Sequence, residues 1–406
     1  MQFLAFVILF ASSSLLFAGQ VKLGNEVLVE HHFKELRGKR VGLITNPSGV
    51  NHNLESTIDV LRSAPGVKLV ALFGPEHGIY GDVFAGEKIA NRTDARTGLP
   101  VRSLYGETRK PSAEMLEGLD AMVYDLQDTG CRGYTFISTM GVAMDACGAA
   151  GIEFIVLDRP NPVGGDRVEG PMVSPKFRSF VSRWDIPYVY GLTCGELARM
   201  INGEHWITNQ CKLTVVRMNG WKRSMTWRDT GLPWVPTSPH IPHDDSSLFQ
   251  IATGIMGELS NVSIGVGYTL PFECVAAPDV DSHKLTDALN AYNLAGVRFQ
   301  PITYKPYYFH FKDQQLGGAQ IFISDPARAP LTAINFYAME ALKKVADLDL
   351  LSETGRSNRF GMFDKINGTD AIRKALQSGT PVAEIAASWK PGEDAFRKQR
   401  KKYLLY

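Results

Sequence analysis

A chain of 406 residues exceeds what one hydrophobic core ordinarily holds, so two domains are expected. With 44% hydrophobic residues, 21% charged residues and a formal net charge of +1, the composition is that of an ordinary globular protein and carries no electrostatic footprint for nucleic acid. An enzyme or a small-ligand binder fits these numbers.

The first eighteen residues, MQFLAFVILFASSSLLFA, are apolar and uncharged, with small residues toward their end. They read as the hydrophobic part of a secretory signal peptide, with Ala18 before the cleavage point, although a basic n-region is missing. A retained membrane anchor is the competing reading, and both put the rest of the chain outside the cytoplasm, periplasmic or secreted. No later apolar run is long enough to span a bilayer, so the mature chain is expected to be soluble, without stable membrane association.

From residue 39, short β-branched runs alternate with helical stretches: KRVGLITN (39–46), LESTIDVLRS (54–63), VKLVALF (67–73), LDAMVYDL (119–126), STMGVAMDACGAAG (138–151) and IEFIVLDR (152–159). That alternation predicts a doubly wound α/β domain with a mostly parallel sheet covered on both faces. TCGELARMINGEH (193–205) is a further helix, opened by the capping box of Thr193 and Glu196. After residue 278 the texture shifts to helix, two β-rich runs and helices, so the expected division is 19–278 for the α/β domain and 279–406 for a smaller α+β domain. Cys131, Cys147, Cys194, Cys211 and Cys274 have no CxxC spacing and read as mostly buried, reduced thiols.

In an open parallel sheet the ligand lies beyond the carboxyl ends of the strands. Polar residues gather at four successive strand ends: Thr45, Asn46 and Pro47; Pro75, Glu76 and His77; Asp125, Gln127, Asp128, Arg132 and Tyr134; Asp158, Arg159 and Asn161. Asp, Asn and Pro also serve as turn formers there. Glu76, His77, Arg132 and Tyr134 are not favoured in turns, and their coincidence points to a shared site. TNPSGVN is neither GxGxxG nor a P-loop, which disfavours a dinucleotide cofactor. GVGYTLPFE (265–273) reads as a loop that brings Glu273 to the same cleft. His240, His243, Asp244 and Asp245 raise a metal reading, but Pro239 and Pro242 forbid a helix there, and Asp244 or Asp245 is expected to cap the next helix. No metal or cofactor is expected.

GLITNPSGV, LFGPEHGIYGD, YDLQDTGCRGYTF, DRPNPVGG, EGP, YGLTCGELARMINGE and MNGW occur in this order, and the chain resembles the domain-of-unknown-function family that includes the exo-acting β-N-acetylmuramidases of the NamZ type. GTDAIRKAL and the closing YLLY extend the resemblance over essentially the whole chain after the leader. It implies a Rossmann-like domain carrying the cleft, a smaller assisting C-terminal domain, and release of N-acetylmuramic acid from the non-reducing end of peptidoglycan-derived muropeptides or disaccharides.

Glycoside hydrolysis commonly uses two carboxyl groups. Under this reading Glu76 is the candidate acid, with His77 as hydrogen-bond partner or alternate proton carrier. Asp125 and Asp128 lead as the second carboxylate, ahead of Glu273 and Asp158. Arg132 or Arg159 suits the lactyl carboxylate as a two-pronged donor. Asn46, Gln127 and Asn161 suit hydroxyl or acetamido groups, and Tyr134 or Tyr80 a pyranose face. A non-catalytic muropeptide-binding protein on the same fold is the alternative. An esterase or amidase is disfavoured because Ser48 and Ser138 lack a GxSxG elbow.

Overall fold

Apolar, β-branched runs too short for helices become strands buried on both faces. In the computed structural model, which describes residues 21–84, 86–352 and 360–406, the first sheet contains β1 (Arg40–Thr45), β2 (Lys68–Gly74), β3 (Arg92–Thr93), β4 (Pro100–Ser103), β5 (Ala121–Asp125), β6 (Glu153–Leu157) and β7 (Leu213–Val216). The spatial order is β3-β4-β2-β1-β5-β6-β7, parallel except at the β3–β4 edge. Around it pack α1 (Gly24–Glu30), α2 (Thr57–Ser63), α3 (Ala113–Leu116), α4 (Phe136–Ala150) and α5 (Cys194–Gly203). Thr193 and Glu196 form the expected capping box of α5. The leader expected over residues 1–18 lies outside the described residues.

The strand order reverses between β1 and β5, where an open α/β sheet ordinarily opens its ligand crevice. Here that crevice is filled. Thr45 and Asp125 are register partners at the strand ends. The Arg159 guanidinium donates from Nε to Asp125 Oδ1 at 2.5 Å and from Nη2 to Oδ2 at 3.1 Å, and Thr57 Oγ1 donates to the same Oδ2 at 2.5 Å. Asp125 is fully buried and Arg159 is 3% exposed. A void of about 10 Å³ remains beside Ser48, Gln127 and Arg159, room for about one water.

The second unit is a three-stranded antiparallel sheet, in the order β8-β10-β9, of β8 (Cys274–Ala277), β9 (Val297–Tyr304) and β10 (Leu316–Ile323). It packs with α6 (Ser246–Gly257), α7 (Ser282–Ala291) and α8 (Leu331–Ala346), and α9 (Phe360–Asn367), α10 (Ala371–Gln377), α11 (Val382–Ala387) and α12 (Lys390–Arg400) follow. Ile251 and Ile255 of α6 share one core with Ile334 and Phe336 of α8, and Cys274 and Ala277 pair with Gln320 and Gly317. α6 and β8 thus pack with the second sheet, although both precede the position expected for the division at residue 278. The texture of the sequence changes only past β8, whereas pairing with β10 draws β8 and α6 into the second unit.

The chain end returns to the first sheet. Tyr406 donates its hydroxyl proton to Asp158 Oδ2 at 2.8 Å and accepts from the Met218 N–H at 2.8 Å, while the Leu405 N–H donates to Glu196 Oε1 at 2.8 Å. The closing YLLY motif is thus a structural lock.

Removing one partner of a buried, hydrogen-bonded pair leaves an uncompensated charge, at a cost of about 3–5 kcal/mol. Asp125→Leu is expected to lose that much in urea denaturation, and Asp125→Leu with Arg159→Met less than the sum of the two single variants. Additive losses would show that the pair is not coupled.

Candidate active site

β2 ends in Gly74-Pro75, and proline cannot donate to a continuing strand. The chain turns at once: the Gly78 N–H donates to Pro75 O at 2.9 Å, and His77 occupies the third position with φ of 69°. That is the type II pattern, whose third residue is ordinarily glycine. A side chain held there costs about 1–3 kcal/mol, and such strain concentrates at functional positions.

The turn presents Glu76 half-buried, with both carboxyl oxygens engaged. Thr135 Oγ1 donates to Oε2 at 2.5 Å and the Gly86 N–H to Oε1 at 3.1 Å. Thr135 stands at the N-cap of α4, yet its hydroxyl makes no cap bond there. His77 is buried, and its Nδ1 meets Val83 O at 2.8 Å. A carbonyl only accepts, so Nδ1 is the donor. Glu76 and His77 together close the loop that carries Phe84.

Around Glu76 stand groups from several elements. The Tyr105 hydroxyl lies between Glu76 and the Arg109 guanidinium, and burial, reinforced by the Glu76 charge, pushes it up to about 12. Tyr134 is buried against Phe136 with ring centroids 4.6 Å apart, between Glu76 and Asp128, and burial raises its hydroxyl well above the ordinary value. Asp128 accepts from the Gly130 N–H at 2.7 Å and from the Tyr190 hydroxyl. Its other oxygen has no hydrogen-bond partner among the described residues, and burial pushes the carboxyl up to about 6. His240 meets the Tyr308 hydroxyl through Nε2 at 2.8 Å. Burial and the nearby His77 lower its pKa. The Tyr308 ring faces Phe84 at 6.3 Å, and both rings are exposed, at 39% and 57%. Exposed aromatic faces beside a carboxyl can stack on a sugar ring.

Of the residues expected at this site, Glu76, His77, Tyr134 and Asp128 come together. The others are held elsewhere. Arg132, 1% exposed, donates to Pro171 O, Ile186 O and Ile366 O at 2.7, 2.7 and 2.9 Å and to Ser182 Oγ at 3.1 Å. It ties α9 to the first domain, and burial lowers its pKa to about 10. Arg159 and Asp125 neutralise each other. Arg132, Arg159 and Asp125, expected in lactyl binding and catalysis, are thus committed to partners within the protein.

Asp158 is fully buried and serves the start of α5, accepting from Thr193 Oγ1 at 2.7 Å and the Gly195 N–H at 2.8 Å. Burial pushes it up to about 6. Asn46 spans Ser48 and Thr237 O, and Asn161 spans Leu192 O and the Val163 N–H. The Gln127 amide donates to Asp128 O and Pro160 O. These three amides are buried and tie strand-end loops together instead of facing a ligand. Tyr80 is exposed and bonded to Asp94, with Arg92 over its ring at 5.0 Å. Glu273 lines a separate cleft of about 640 Å³ with His243, Asp244, Asp245 and Phe322. Burial, with Asp245 nearby, raises its pKa. Asp245 is the N-cap residue of α6 without a side-chain cap bond, because Asp244 and Asp245 both pair with Arg228. All five cysteines are buried and unpaired.

Residues 41–245 match the family profile of the N-terminal domain of exo-β-N-acetylmuramidase NamZ, and residues 251–406 that of its C-terminal domain. The chain belongs to the NamZ family. It is 43% identical over 387 residues to the peptidoglycan β-N-acetylmuramidase NamZ of Bacillus subtilis (strain 168), covering 95% of this chain and 92% of that one. Two crystal structures of DUF1343-family proteins from Bacteroides fragilis NCTC 9343 share the fold. One is 50% identical with a TM-score of 0.91 and the other 29% identical with a TM-score of 0.76, each match covering 95% of this chain and 99% of the other.

Sequence reasoning did not bring Tyr105, Arg109, Thr135, Phe84 and Tyr308 to the candidate site. Tyr105 and Arg109 follow β4, a four-residue strand too short to stand out as apolar periodicity. Tyr308 lies in the aromatic run KPYYFHF (305–311), whose density was itself the signal.

The Asp128 carboxyl sits at about 6, above its ordinary 3.8, so the folded state binds the proton more tightly than the unfolded one. Its stabilising contribution is complete in acid and is lost as pH rises through about 6. Asp128→Asn cannot ionise and is expected to gain thermal stability relative to wild type between about pH 4 and pH 7. A difference in midpoint that stays constant across that range would contradict the assignment.

Proposed function

We propose that this chain is an exo-acting glycoside hydrolase that releases N-acetylmuramic acid from the non-reducing end of peptidoglycan fragments, with Glu76 as the acid that protonates the leaving oxygen. The observation that carries the assignment is the setting of Glu76. It is a half-buried carboxyl on a strained turn, with Thr135 Oγ1 and the Gly86 N–H donating to its two oxygens and the exposed ring of Phe84 on the loop that it closes. As the anomeric C–O bond breaks, the leaving oxygen takes the proton of Glu76. Water adds to the anomeric carbon, and the proton this frees restores the acid. Both donors then stabilise the carboxylate that Glu76 becomes, an interaction worth more in the transition state than in the ground state.

Asp128, the other carboxyl bordering Tyr134, is the second member of the pair that such hydrolysis commonly uses. Export to the periplasm or beyond the cell is part of the proposal: the substrate class lies outside the cytoplasm, and the uncharged apolar run over residues 1–18 supports a leader.

Release of a chromogenic aglycone from its β-N-acetylmuraminide and from its β-N-acetylglucosaminide tests this, with wild type and Glu76→Gln. Wild type is expected to hydrolyse the muraminide alone. Glu76→Gln should lose about 10²–10⁴-fold in kcat while still binding the product sugar. No hydrolysis of either compound by folded wild type would sink the enzymatic reading, and binding without turnover would point to a carrier of the same ligand.

A further inference from the structure

We propose that Arg109 is the residue that recognises the lactyl carboxylate and so separates a muraminide from a glucosaminide; the inference rests on the muramidase reading above. N-acetylmuramic acid differs from N-acetylglucosamine by the carboxylate-bearing lactyl ether. A carboxylate next to a sugar ring calls for a planar, two-pronged donor that need not be stripped from another anion first.

Arg132 and Arg159 cannot serve, being committed to backbone carbonyls and to Asp125. Arg109 is placed differently. Its guanidinium carbon lies 4.8 Å from the Tyr105 ring centroid and 4.4 Å from that of Phe180. Those rings are tilted by 55° with centroids 6.3 Å apart. Stacking on two aromatic faces orients a guanidinium while leaving its hydrogen-bonding edge open.

Arg109 is exposed, and among the described residues it forms no ion pair. Nη2 donates to the Tyr105 hydroxyl at 3.4 Å, a long contact that a carboxylate would readily better. Its neighbour Lys110, by contrast, is already paired with Asp145.

Tyr105 fixes where the guanidinium sits relative to the reaction. Its hydroxyl borders Glu76 on one side and Arg109 on the other. The tyrosine spaces the guanidinium from the acid, as the carbons of the pyranose space the lactyl group from the glycosidic oxygen. In this proposal a sugar whose leaving oxygen faces Glu76 turns its lactyl side toward Arg109.

Calorimetric titration of free N-acetylmuramic acid and of its lactyl methyl ester into wild type, Arg109→Met and Arg109→Lys tests the assignment without any turnover. Wild type is expected to prefer the acid to the ester by about 10- to 100-fold, the factor for one charge-assisted, two-pronged contact. Arg109→Met should bind acid and ester alike. Arg109→Lys, which keeps the charge and loses the fork, should fall between. Thermal midpoints near that of wild type exclude misfolding, since the side chain is exposed. Equal affinity of wild type for acid and ester, no binding of either, or an undiminished preference in Arg109→Met would each overturn the proposal. Failure of the hydrolysis assay alone would count against the muramidase reading and leave carboxylate recognition standing.

Discussion

The buried Asp125–Arg159 pair decides where this molecule can have a site. A doubly wound sheet offers its crevice where the strand order reverses, and here that position between β1 and β5 is occupied by two opposite charges joined by 2.5 and 3.1 Å hydrogen bonds. Neither charge could be desolvated alone, because an unpaired buried ion costs several kcal/mol. Each therefore requires the other, and Thr57 takes up further acceptor capacity on Asp125. With the crevice filled, the open polar surface lies one strand over, beyond β2.

The site beyond β2 depends on both units. Glu76 and His77 belong to the first, but His240 and Tyr308 approach from the connecting segment and the β9–β10 loop, and Tyr308 faces Phe84 across the cleft. Many hydrogen bonds hold the units together, among them those of Arg167 to Pro326 O and Ala329 O and of Arg400 to Gly165 O. Arg132 binds the carbonyl of Ile366 in α9, and Tyr406 reaches Asp158. Charged and polar residues at strand ends thus spend their hydrogen bonds fastening the second unit to the first. That places the aromatic loop against His240 and Phe84, and the strained residue at φ 69° is held in the turn by the hydrogen bonds of Glu76 and His77.

Most of the architecture was legible in the sequence because burial on both faces leaves a plain mark in continuous apolar strands. The Thr193–Glu196 capping box was equally legible, since both partners are local. The association of β8 with β10 and of α6 with α8 was not, because it rests on long-range pairing that no local texture records. Strand-end polarity pointed to the rim that carries Glu76, and the structure commits several of its members to other partners. Asn46, Arg132, Asp158 and Asn161 have the residue types of a binding site, but each is buried with its donors or acceptors satisfied by backbone or by another side chain.

The difference between a structural and an available polar group lies in its partners, not its type. Arg132 and Arg109 carry the same guanidinium in the same domain. Arg132 is surrounded by carbonyls that replace its water, and moving one donor to a ligand would orphan a buried acceptor at a cost of about 1–3 kcal/mol. Arg109 lies on two aromatic faces and spends one long N–H contact on the Tyr105 hydroxyl, so a carboxylate would meet donors that no buried acceptor needs. The same contrast separates Asp125, whose oxygens are both taken by Arg159 and Thr57, from Glu76, whose hydroxyl and amide donors hold the carboxyl without neutralising it. In this molecule a full set of polar partners marks the residues that hold the fold together, and orientation by neutral groups marks those left free to act on a ligand.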